Sequence, residues 1–201
     1  WMYSKIKKGD IRSMRKVLQL LSVVVVGIAV ALMLISPELV LIFGSPKYRE
    51  AVYVIPPVAA SVFFIFIYNI LSMPQFYYEK TQFLMAASMA AAGANVVLNF
   101  IFIRLFGYIA AGYTTLACYM LYSVGHYIVS KRILVNEGIQ ENLMSPGFLV
   151  ACSAFLIGAS IICNLIFPYR ILRYAILLAS AGLVFWKKEL LLKTMADIRK
   201  K

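Results

Sequence analysis

The sequence predicts an all-α integral membrane protein that threads the bilayer six times, and three observations carry that expectation. Hydrophobic residues make up 63% of the 201 residues and mean hydropathy is +0.85, whereas apolar residues are about half of a soluble domain. They fall in uncharged runs of spanning length, the clearest being FLMAASMAAAGANVVLNFIFI at 83–103, 21 residues without a charge; about 20 such residues cross the hydrocarbon as a helix. The 20 Lys and Arg flank these runs, the arrangement that orients spans in a membrane. The net charge of +12 is therefore read as membrane topology, and nucleic acid is set aside as a partner.

Residues 1–16 carry Lys5, Lys7, Lys8, Arg12, Arg15 and Lys16 against Asp10 alone. This is a cytoplasmic basic segment drawn to anionic lipid headgroups. A first span at 17–35 is polar only at Gln19 and is expected to stop at Ser36 and Pro37. Residues 37–47 (PELVLIFGSPK) hold five consecutive apolar residues, too few to span, before Gly44, Ser45 and Pro46. Those turn residues mark an excursion on the outer surface. Residues 48–55 read as interfacial. Pro56 and Pro57 must then kink or restart the helix, since neither has a backbone donor.

The second span is 58–72. A span interrupted by proline borders protein or water where its carbonyls are freed, which makes Pro56 and Pro57 candidate hinge residues. Residues 73–82, with Pro74, turn on the inner face and the uncharged run at 83–103 crosses back. A tight outer turn at 104–107 leads to a fourth span at 108–129, with Tyr108 and Tyr127 as interfacial aromatics and Ala110, Thr114 and Cys118 as a small-residue packing face.

The polar connection 131–145 separates the four-helix unit 17–130 from a terminal helix pair within 146–192. Its first member, 147–167, opens at Pro146, where a helix start tolerates proline. The second has only 13 residues between Arg173 and Lys187, so Arg173, Lys187 and Lys188 are expected to snorkel. The tail 193–201 is basic again and cytoplasmic. With both ends inside, fifteen of the 20 Lys and Arg lie on the inner face and five on the outer, a bias in the direction membranes impose. The chain opens on Trp1 and a basic stretch without a three-part signal peptide, and is read as a fragment with an upstream part missing.

No enzyme motif is found: no Walker loop, no G-x-S-x-G, no H-E-x-x-H and no carboxylate pair within a span. Cys118, Cys152 and Cys163 form no C-x-x-C pair and are read as packing residues, so neither metal nor cofactor is expected. All eight acidic residues are placed outside the apolar cores, which leaves no intramembrane carboxylate in this region for an ion relay and places any coupling group in the missing part. What remains is uncharged polar chemistry. Asn95 and Asn99 are a turn apart on an alanine-rich helix and either hydrogen-bond between helices or line a hydrated lumen. Tyr119, Tyr122 and His126 share one face of the fourth span, with His126 either a satisfied structural residue or a substrate or proton site. Asn69, with Ser72 and Gln75, either caps the second span or faces an inner vestibule. Arg49, Arg104 and Arg170 read as outer anchors, with Arg104 also able to attract a diphosphate.

The stretch PELVLIFGSPKYREAVYVIPP, followed by NVVLNFIFIRLFGYIAAGYTTLACY, resembles the C-terminal lobe of polysaccharide biosynthesis proteins. These are lipid-linked oligosaccharide flippases of the multidrug/oligosaccharidyl-lipid/polysaccharide exporter superfamily. The resemblance covers roughly residues 6–132 and rests on Tyr48 and Ala51, the Asn95 and Asn99 pair, and the turn and helix start from Gly107 to Thr115. It implies two pseudo-symmetric six-helix lobes around a central cavity plus a terminal helix pair, of which this chain would be the last six helices. It implies flipping of an undecaprenyl-diphosphate-linked sugar unit across the bacterial inner membrane by alternating access, for O-antigen, capsule or exopolysaccharide assembly. The implied partners are the missing first lobe, anionic membrane lipids and other assembly enzymes. Arg104 departs from the pattern, standing where relatives place proline or an apolar residue. A drug/cation antiporter of the same superfamily and a non-transporting scaffold for glycan assembly are the alternative readings.

Overall fold

The computed structural model describes residues 1–186; the basic tail and the snorkelling positions Lys187 and Lys188 lie outside the described residues. Within them the fold is helical throughout: α1 (Met2–Lys7), α2 (Ile11–Phe43), a 3-10 helix (Pro46–Val54), α3 (Ile55–Tyr77), α4 (Gln82–Phe106), α5 (Ala110–Asn136), α6 (Pro146–Ile166) and α7 (Arg170–Trp186). Four stretches are long and apolar enough to cross a membrane, namely Ile11–Phe43, Pro46–Tyr77, Gln82–Phe106 and Pro146–Ile166. The expected fourth and sixth spans are not among them. At 27 residues α5 has the length, but its tyrosines, threonines, serines and His126 dilute its hydropathy. The described part of α7 has 17 residues, short of the ~20 a span needs.

The basic segment 1–16 is already structured. Asp10 caps α2, its side chain accepting from the Ser13 backbone N–H at 3.2 Å, which satisfies one of the orphan donors of a first turn. From there α2 buries Ile11, Met14, Leu18, Ser22, Ala29, Met33 and Ser36, a stripe at three- and four-residue spacing that seals one helix face. The expected stop at Ser36 and Pro37 is overturned, since α2 continues to Phe43. Pro37 cannot donate to the Met33 carbonyl one turn back. The Ser36 hydroxyl donates to that carbonyl instead, at 2.8 Å, so the ladder passes the proline and the outer excursion shrinks to Gly44 and the 3-10 turn.

Pro56 and Pro57 stand at the first positions of α3, where a missing N–H costs nothing, so they restart the helix rather than kink it. Pro74 does not open a turn as expected; α3 runs through it to Tyr77. The helix then closes in a left-handed cap at Glu79, φ 57°, with Lys80 N–H donating to the Gln75 carbonyl at 2.8 Å and Glu79 N–H to Phe76 at 3.2 Å. That is the Schellman hydrogen-bond pattern, here with glutamate where glycine is usual.

The core is centred on α3. Phe63, Phe64, Ile67, Ile70 and Leu71 are buried together with Met14, Leu18, Met33, Leu116, Leu134 and Leu156 from α2, α5 and α6. Ile133 and Leu134 are buried as well, which carries α5 past Lys131 to Asn136, and Leu143 and Met144 tuck the following connection under the bundle.

Candidate functional site

Two seams meet at α5. Against α3 it comes close because Gly112 has no side chain: a Cβ there would lie 2.9 Å from the Pro57 ring, 3.0 Å from the Val54 carbonyl and 3.2 Å from a Val54 methyl. The face of Ala110, Thr114 and Cys118, read from the sequence as a packing surface, is buried as expected. Against α4 the fit is loose, because alanines line that helix and leave space.

A partly polar cavity of about 450 Å³ is lined by Tyr68 of α3, Ser88, Ala91, Ala92, Asn95 and Val96 of α4, and Thr115, Cys118, Tyr119 and Tyr122 of α5. Its aromatic wall is ordered. Tyr68 and Tyr119 lie parallel, 4° apart in plane and 6.2 Å between centroids, and Tyr122 meets Tyr68 edge-on at 4.7 Å. Tyr122 exchanges a hydrogen bond with the Ser88 hydroxyl at 2.6 Å. Behind it His126, 4.5 Å from the Tyr122 ring and perpendicular to it, is fully buried. The Gln75 amide nitrogen lies 2.8 Å from His126 Nδ1. With that amide donating, the ring proton sits on Nε2, an assignment that follows from the hydrogen bond. His126 Nε2 and Gln75 Oε1 have no hydrogen-bond partner among the described residues.

The expected pairing of Tyr119, Tyr122 and His126 on one face is met, and Gln75 and Tyr68 complete it. Periodicity along α5 found the first three. Tyr68 had no such signal, being one more aromatic in an apolar run, and only the α3–α5 packing identifies it. Asn95 and Asn99 also come together: Asn99 donates to the Asn95 carbonyl oxygen at 2.9 Å and accepts from the Thr114 hydroxyl. Asn99 thus bonds across the helix interface, while Asn95 faces the cavity. Asn99 therefore meets the reading as an interhelical hydrogen-bonding residue, and Asn95 lines the space between the helices.

The remaining candidates lie apart. Asn69 is exposed and donates to the Ile65 carbonyl at 2.8 Å, so it neither caps the end of α3 nor lines this cavity. Arg104 is exposed at the end of α4 and stacks over the Phe100 ring at 3.9 Å, a cation–π contact one turn back. The described residues contain no group of three or more His, Cys, Asp or Glu able to hold a metal.

One polar feature escaped the sequence reading. Arg173, expected to snorkel, is buried and grips Glu38 with both guanidinium nitrogens at 2.8 Å, while donating to the Leu34 carbonyl at 2.8 Å. Tyr174 donates to the same carboxylate at 2.9 Å. Glu38, placed on an outer loop by the sequence, is on α2. This two-pronged pairing is the strong form of a guanidinium–carboxylate contact. Its only sequence cue is an acid and a base at opposite ends of the chain. No family model matches this chain, and no curated protein and no solved structure matches it.

Proposed function

We propose that this chain forms part of a membrane transporter that carries an undecaprenyl-diphosphate-linked oligosaccharide across the bacterial cytoplasmic membrane, without covalent chemistry. The observation that supports it best is the cavity of about 450 Å³ walled by Tyr68, Tyr119, Tyr122, Ser88 and Asn95. Residues 88–96 are the middle of α4, so this polar space lies near mid-span. Tyrosine rings offer flat apolar surface with a hydroxyl at the rim, and a carboxamide both donates and accepts; sugar rings need that combination. Buried polar groups at such a depth are costly unless satisfied or hydrated, and a hydrated passage removes that cost.

In this reading α5 and α7 complete six crossings, the basic start of the chain faces the cytoplasm, and a second lobe encloses the cavity. Arg104 attracts the diphosphate at the opposite end of α4, and Pro56 and Pro57 mark the junction about which α3 tilts. The test is an export assay in cells that depend on the intact protein. Replacing Asn95 by Leu together with Tyr122 by Phe is expected to reduce surface polysaccharide and accumulate lipid-linked repeats on the cytoplasmic side. Unchanged export, or a cysteine at 95 that no water-soluble reagent reaches in any state, rejects the proposal. A second reading, a membrane scaffold for glycan-assembly enzymes, is favoured by the absence of any buried residue on α4. Co-purification of glycan-assembly enzymes that is lost when the open face of α4 is substituted, with export unchanged by the substitutions at 95 and 122, would select it.

A further inference from the structure

The cavity between α3, α4 and α5 is partly polar yet carries no charge. None of its lining residues is Asp, Glu, Lys or Arg, and residues 51–78, 82–103 and 105–130, which supply all three walls, contain none either. The charged residues that bracket α4 are engaged elsewhere: Arg104 is held over the Phe100 ring and Lys80 is paired with Glu137. His126, behind Tyr122, is neutral as well. The Gln75 amide nitrogen sits between the Leu71 carbonyl at 3.4 Å and His126 Nδ1 at 2.8 Å, so it donates to both and Nδ1 bears no proton.

In place of charge the wall offers flat surface and hydrogen-bonding groups. Asn95 Oδ1 already accepts from Asn99, which leaves the Asn95 N–H groups as donors without a partner among the described residues. The Thr115 and Tyr119 hydroxyls have no partner there either. Tyr68, Tyr119 and Tyr122 add their rings.

We infer that this wall selects an uncharged sugar and rejects one that bears a carboxylate. The inference rests on the transport reading and names the substrate class within it. A neutral ring lies against tyrosine surface, while its hydroxyls accept from Asn95 and exchange hydrogen bonds with Thr115 and Tyr119. A carboxylate could accept from the same donors. Once the sugar displaces the cavity water, however, that charge faces dipoles with no cation to pair it. An unpaired charge out of water costs more than such hydrogen bonds restore.

The probes are citronellyl diphosphate carrying glucose, the same carrier with glucuronate, and the bare carrier, each titrated calorimetrically into the intact protein in phosphatidylcholine nanodiscs. The two sugars differ only at C6, a hydroxymethyl group against a carboxylate. The glucosyl probe is expected to bind more tightly than the bare carrier, and about tenfold more tightly than the glucuronosyl probe, a ratio equivalent to ~1.4 kcal/mol. Asn95→Lys and Ser88→Lys each bring a cation to the wall and narrow or reverse that ratio, and two positions are used so that misfolding at one leaves the other as the test. Asn95→Asp, close to asparagine in shape, widens it. Equal binding of the two sugars, both tighter than the bare carrier, overturns the charge selection and leaves the transport reading standing. A preference untouched by both lysines also overturns it, because selection would then lie outside this cavity. If neither sugar adds affinity to the bare carrier, the cavity is no sugar site, and the transport reading falls together with the inference.

Discussion

Helices α3 and α4 are alike in sequence terms, both uncharged over spanning length, yet they sit in different surroundings. In α3 the Phe63, Ile67 and Leu71 side chains are excluded from solvent, and neighbours close on the helix from α2, α5 and α6. In α4 no residue is buried, and Met85, Met89, Val96 and Phe100 stand open. The contrast separates two properties that hydropathy merges. An apolar run reports the medium in which a helix is stable, while the shape of its side chains decides whether protein or lipid fills the space beside it. Bulky Phe and Ile on α3 interlock with neighbours; the Ala and Gly of α4 leave cavities against α5 and a free face beyond.

The comparison is tested most severely by Phe63→Ala. Emptying that site should destabilise the protein by about 4 kcal/mol, the usual cost of removing a buried aromatic, read from unfolding in a mild detergent; a loss under about 1 kcal/mol would mean that α3 is not the core. Gly112→Leu attacks the same seam from the other side. It drives a side chain into the Val54 carbonyl and the Pro57 ring and should cost about 3 kcal/mol by overpacking, with thermal unfolding as the measure.

On α4 the effects shrink. Asn99→Leu removes the bonds to Asn95 and Thr114 and is expected to cost roughly 0.6 kcal/mol, the mean for hydrogen bonds between membrane helices. Met89→Ala, on the open face, should fall within about 0.5 kcal/mol of zero, as surface substitutions do. A loss near 2 kcal/mol there would sharpen the comparison by showing that another polypeptide covers α4 in the assembled protein.

Much of the helical layout was legible. Uncharged runs located α2, α3, α4 and α6, because solvation by lipid leaves a compositional mark on every residue of a span. Periodicity placed Tyr119, Tyr122 and His126 together, because 3.6 residues per turn is a local property. Proline was misjudged at 37 and 74, where the rule that it ends helices met a compensating hydroxyl or a helix already near its last turn. Tyr68 and the Glu38–Arg173 pair were not legible for a different reason. Their partners are set by tertiary packing over large separations, 135 residues in the second case, and one sequence carries no mark of such a pairing.

That separation has a consequence for biogenesis. A ribosome adding roughly 5 to 20 residues per second releases Glu38 on the order of ten seconds before Arg173 exists. Until then α2 carries an acid in its last turns without the guanidinium that grips it. Arrival of α7 therefore quenches a charge left waiting on α2, so a nascent chain stalled before residue 173 would bear an uncompensated carboxylate that quality-control machinery can recognise.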